Sequence, residues 1–154
     1  MRRERSGVHA APFLFEHQIE TKKGKVVNRF LLIAVGAILG ANARYLVGLW
    51  TAQRFGVDFP YGTVIVNITG SLILGFLVAW GSLRSGLNGE VRLLVAVGFL
   101  GSYTTFSSYT VESLQQLETA NMSRALVNIF LHNGMGLAAA WVGMLLARGI
   151  ASSL

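Results

Sequence analysis

Four blocks of about 20 apolar residues dominate the chain, at positions 30–50, 62–82, 91–111 and 125–147, with connectors too short to fold independently. At 1.5 Å of rise per residue, each block has the length of a helix crossing a bilayer core of roughly 30 Å. Strand-like alternation is missing from them, and a backbone in hydrocarbon must pair its own polar groups, so helices are the expected solution. In the first block Asn42 and Arg44 are the only interrupting polar side chains. Residues 51–60 read as a short loop. Trp50, Tyr61, Trp80 and Trp141 stand toward block ends, where amphipathic rings prefer the interface. The predicted fold is an all-α membrane protein of four transmembrane helices over residues 29–154. Residues 1–28 read as a basic, flexible cytoplasmic tail, since the apolar stretch 10–15 is too short for a signal-peptide core.

Composition sharpens this picture. Of 154 residues, 53% are hydrophobic and 13% charged, against roughly 25% charged in a soluble domain, so a soluble enzyme is ruled out as the default. No cysteine is present, which excludes thiol catalysis and thiolate metal sites, and only His9, His17 and His132 could supply imidazole. The net charge of +6 does not point to nucleic acid, because Arg2, Arg3, Arg5, Lys22, Lys23, Lys25 and Arg29 all precede the first block. A basic tail beside a span favours anionic membrane lipid. With the N-terminus inside, Arg84, Arg92 and Arg148 join those seven, while Arg54 and Arg124 lie outside with Arg44 near them. Without the tail up to Lys25 the core is almost balanced, four against three.

Glycine, 18 residues in all, is concentrated in the blocks, and Gly36 with Gly40 forms a GxxxG pair of the kind that lets helices pack closely. Four helices enclose little interior, so Arg44, Asn67 and His132 would face lipid in a lone chain. A homodimer is the expectation.

The densest chemistry lies in the third block, where eight of the nine residues from Ser102 to Thr110 carry hydroxyls. Glycines at 98 and 101 followed by β-branched Thr104 and Thr105 lower helix propensity, and an unwound segment with exposed carbonyls is expected there, suited to an ion. Hydroxyl-mediated helix packing is the alternative. In the second block Thr63, Asn67 and Ser71 recur every four residues and share one helical face; Asn67 either bonds two helices together or lines a polar path. Arg44 either snorkels to the interface or recruits anions. Phe106 and Tyr109, three apart, either fill a core or turn positive ring edges toward an anion. His132 and Asn133 could line a path or pack, a metal site there is disfavoured, and Glu112 and Glu118 are assigned to the end of the third helix and its loop.

Together these segments resemble a known family. Gly62-Thr63-Val64-Ile65-Val66-Asn67, Gly98-Phe99-Leu100-Gly101, Thr104-Thr105-Phe106-Ser107 and Gly40-Ala41 with Arg44-Tyr45 are similar, in order, to the signatures of the Fluc/CrcB fluoride channels over about residues 28–148. The resemblance implies a dual-topology antiparallel homodimer in the cell (inner) membrane with a broken third helix. It also implies two fluoride pores, passive fluoride export and a structural sodium ion at the dimer centre. By the same resemblance Asn67, Phe106, Tyr109, Ser107, Thr63 and Arg44 belong to the fluoride pore, and Gly101 and Thr104 to the sodium site. Three departures stand out: Tyr109 replaces a phenylalanine, Ser102 a frequent glycine, and His132 and Gly136 the pore serines of the fourth helix. Enzyme function is not expected, and no GxxxxGK[ST] phosphate loop is present to couple transport to a nucleotide. The rival readings are a small multidrug-type exporter, whose cation exchange needs a membrane carboxylate that the first block lacks, and a noncatalytic membrane interaction protein, which leaves the hydroxyl run and Arg44 unexplained.

Overall fold

The computed structural model describes residues 23–83, 87–119 and 121–153, and these are helical throughout, with short connections and no strand. Helix α1 spans Lys23–Phe55, and α2 spans Tyr61–Leu83. The third block forms a helical run α3 over residues 89–103, whose middle, Arg92–Leu100, is wound in wider π-type turns. Two extended residues, Thr104 and Thr105, separate it from α4, Phe106–Glu118. Helix α5 covers Met122–Ser152, with one π-type stretch at Leu131–Met135. Among the described residues three helices, α1, α2 and α5, are each long and apolar enough to cross a membrane.

Several boundaries differ from the sequence reading: α4 runs on to Glu118, past the expected end at 111, which puts Glu112 within the helix, and α5 covers Met122–Ser152 where 125–147 was expected. The expected loop at 51–60 is shorter, because the helix continues to Phe55: Thr51 turns its hydroxyl back to Gly48 O at 3.0 Å, satisfying a polar side chain within the helix. The stop comes at Gly56, whose φ of 80° is the left-handed conformation that ends helices, with its N–H bonded to Ala52 O. At the other end α1 starts at Lys23, so residues 23–28 of the expected tail are helical, and residues 1–22 lie outside the described residues. Its 33 residues reach about 50 Å, well beyond a bilayer core.

Glycines set the helix pairing. A Cβ on Gly36 or Gly40 would collide with the carbonyls of Leu94 and Phe99, and one on Gly98 would meet Ile33 O, so the GxxxG pair of α1 is used against α3 of the same chain. Across α2 and α5, Gly75 lies against Ala140 O and Gly143 against Leu72 O. The buried core is correspondingly thin and made of small or mid-sized residues such as Val66, Leu100, Ala125 and Ala147, while Phe30, Ile38, Leu39, Leu46, Leu137 and Trp141 remain exposed. In water such a surface would aggregate; facing lipid tails or a second copy it is satisfied.

Because the α2–α5 contact is backbone on backbone, Gly75→Val should leave little or no monodisperse protein in detergent. Gly149→Ala, where nothing lies within 4 Å of the added carbon, should be tolerated or stabilising by up to about 1 kcal/mol. Melting curves followed by size-exclusion chromatography compare the two, and equal behaviour would refute close α2–α5 packing.

Candidate functional site

The interruption between α3 and α4 organises the polar groups of the molecule. In a continuous α-helix the N–H of Thr105 would donate to Gly101 O; here it donates to Asn67 Oδ1 at 2.7 Å, while Asn67 Nδ2 donates to Thr105 O at 2.9 Å. One carboxamide from α2 thus satisfies both backbone groups of an extended residue, replacing helix bonds that the extended conformation gives up. On the α3 side, Thr104 closes the last turn with N–H and hydroxyl both donated to Leu100 O, at 3.1 and 3.0 Å. Its own carbonyl accepts from Arg44 Nη1 at 3.4 Å. On the α4 side, Thr105 Oγ1 accepts from Ser108 N at 3.2 Å, the N-cap that starts the helix, and lies 3.3 Å from Ser107 Oγ.

Two cavities meet at Thr105. The inner one, of about 470 Å³, is lined by Asn67, Ser71, Gly101, Thr104, Phe106 and Tyr109 together with His132 and Asn133. The outer one, of about 490 Å³, is lined by Arg44, Thr63, Ser108, Glu112 and the loop before α2. The Thr63, Asn67, Ser71 face of α2 therefore runs from one cavity into the other. In the outer cavity Thr63 Oγ1 donates to Glu112 Oε1 at 2.6 Å, and the second carboxylate oxygen is buried without a partner.

Of the eight residues singled out from the sequence, Asn67, Phe106, Tyr109, Gly101 and Thr104 are brought together around the inner cavity, Arg44 and Thr63 line the outer one, and Ser107 lines neither. Phe106 is 74% exposed and touches Tyr109 edge to face, at 5.5 Å and 67° between rings. Tyr109 stacks on His132 at 4.3 Å and its hydroxyl accepts from Asn133 Nδ2 at 2.8 Å. Arg44, Asn67 and His132, expected to face lipid in a lone chain, all find partners within it: Thr104 O, the Thr105 backbone and Asn128 O. Their burial does not by itself require a second copy; the exposed Phe106 and the apolar flanks are what remain uncovered.

Three residues were given no part in the site by the sequence reading. Glu112, assigned there to the helix end, is the partner of Thr63. Ser113 and the fully buried Asn128 join α4 to α5 through Asn128 Nδ2 to Ser113 Oγ at 2.9 Å and Ser113 Oγ to Tyr109 O at 2.8 Å. Asn128 stands one turn before His132 on the same helical face, and that spacing was the available signal.

Comparison with known proteins adds independent findings. The family described as CrcB-like protein, Camphor Resistance (CrcB), matches residues 31–144. A protein of Sulfurihydrogenibium sp. (strain YO3AOP1), named fluoride-specific ion channel FluC, is 46% identical over 122 residues, which cover 79% of this chain and 98% of that one. Its namesakes from Roseiflexus sp. (strain RS-1) and Rhizobium meliloti (strain 1021) are 41% and 39% identical, covering 77% and 80% of this chain and 95% and 99% of their own.

Proposed function

The chain belongs to the CrcB-like family of fluoride-specific ion channels, and from that premise we propose that it exports fluoride passively through the polar cavities on either side of Thr105. It is an ion channel, not an enzyme. The observation that carries the finer reading is the convergence of Asn67, Phe106 and Tyr109 on one cavity beside the extended Thr104 and Thr105. Fluoride is small and strongly hydrated, so a path for it must replace lost water with fixed donors. Asn67 Nδ2 carries two N–H groups and spends one on Thr105 O, which leaves one for the ion. The ring edges of Phe106 and Tyr109 add positive quadrupole charge, and Ser107 and Thr63 offer hydroxyls at the flanks. The positive charge of Arg44 at the outer cavity attracts anions.

The working unit in this reading is an antiparallel, dual-topology homodimer in the cell (inner) membrane, with the interrupted α3–α4 pair as its third span. The exposed Phe106 and the apolar flanks support a second copy. A structural sodium ion at its centre fits in part. Gly101 O has lost the amide of Thr105 to Asn67, and Gly101 carries no side chain beside it, a Cβ there meeting nothing nearer than Ala96 O at 4.0 Å. Thr104 already shares its carbonyl with Arg44 and would contribute through its hydroxyl oxygen. Oxygen donors of this kind suit a hard cation, which would stabilise the two interruptions facing each other.

Fluoride export protects a cell because hydrogen fluoride enters neutral, dissociates inside and leaves the anion trapped until a pore releases it. The near balance of basic residues in the core, set against the basic tail, makes orientation the point of attack. In a bacterium deprived of its own fluoride export, the full chain should restore growth in fluoride medium, and deletion of residues 2–25 should bring the two orientations, read by terminal reporters, closer to equal. One orientation in both forms, with growth still restored, would contradict the antiparallel homodimer.

A further inference from the structure

The inner cavity contains a group whose chemistry the pore reading leaves unused. His132 lines it from the π-type stretch of α5, with its ring on that of Tyr109. Its Nδ1 lies 2.9 Å from Asn128 O. A carbonyl oxygen only accepts, so Nδ1 holds the proton in this contact and the lone pair of the neutral ring falls on Nε2. That atom is buried and has no hydrogen-bond partner. A lone pair in this position has lost its water without compensation and repels any anion brought up to the ring. One added proton reverses both effects, turning Nε2 into an N–H donor and the ring into a cation.

We propose that His132 is a proton-dependent fluoride-binding group: protonated at Nε2 by a proton taken from water entering the cavity, the imidazolium donates that N–H to fluoride, and when the proton returns to water the donor is withdrawn. The inference rests on the channel reading of the cavity. The surroundings leave the ring as the group that switches. Tyr109 on α4 is the titratable side chain stacked on it. From α2 the cavity receives Asn67 and Ser71, and from α3 Ala96, Val97, Leu100 and Gly101, none of which titrates. Glu112, further along α4, is bound to Thr63 at the outer cavity, which Arg44 of α1 also lines.

The test uses the purified full-length protein in liposomes, with fluoride efflux measured at pH 6 and pH 8 on both sides and the leak of protein-free liposomes subtracted at each pH. Efflux should be severalfold faster at pH 6 than at pH 8, because only the protonated ring offers a donor at Nε2. The double variant His9→Gln/His17→Gln should keep that ratio, whereas His132→Gln, or His132→Ser if the first does not assemble, should give equal rates at the two pH values. Equal rates in the unmodified protein, or a ratio that survives both replacements of His132, overturn the inference and leave the channel standing. No fluoride efflux at either pH removes the channel reading and this inference with it.

Discussion

Phe106→Ile should yield a folded, assembled protein whose fluoride flux is largely abolished. At 74% exposure in the chain the ring contributes little to the chain's own core, and a roughly volume-conserving apolar exchange costs less than about 1.5 kcal/mol even at a buried site. A packing residue would therefore tolerate the change. An aromatic edge that faces an anion has no substitute in isoleucine, whose surface lacks the positive rim. Tyr109→Phe is the internal control. It keeps the ring and its stacking on His132, and Asn133 Nδ2, on losing the tyrosine hydroxyl, retains Ile129 O at 2.9 Å, so flux should persist. Fluoride efflux normalised to assembled protein on size-exclusion chromatography decides the matter. Near-unmodified flux from Phe106→Ile would return Phe106 to a packing role.

Asn67→Leu should fail differently, losing stability as well as flux. From the sequence, Asn67 reads as an amide that either joins helices or solvates an ion; its two bonds to the Thr105 backbone, at 2.7 and 2.9 Å, make it the support of the interruption itself. Leucine leaves the half-buried N–H and carbonyl of Thr105 unpaired, at up to about 1–3 kcal/mol for each orphaned group. The expected result is a melting temperature lowered by several degrees or more in detergent, reduced yield, and no fluoride efflux from the fraction that assembles. A variant that melts and conducts like the unmodified protein would show that the Asn67–Thr105 pair does not hold the interruption.

The comparison of these two residues shows where sequence reasoning reaches and where it stops. Helix α2 and most of α5 were legible because a 20-residue apolar block allows few other structures in a membrane. The end of α1 was not, since Thr51, Gln53 and Arg54 look like loop residues until Thr51 is seen to bond within its own helix and Gly56 to supply the stop. The hydroxyl run marked the segment in which Thr104 and Thr105 are extended, because β-branched residues after glycine weaken a helix locally. What holds that segment was hidden. Asn67 lies 38 residues from Thr105, Arg44 60 from Thr104 and Thr63 49 from Glu112, and no local pattern reports such pairings. The GxxxG pair was correctly a packing device, but only the fold assigns its partner to α3 of the same chain.

The central claim is that the two cavities around Thr105 form a path for fluoride and for no larger halide. Purified protein in liposomes loaded with potassium fluoride or potassium chloride, with efflux started by valinomycin and followed by ion-selective electrodes, tests it most directly. Rapid loss of fluoride with chloride retained at the level of protein-free liposomes is the predicted result, and comparable efflux of the two anions, or of neither, would contradict it.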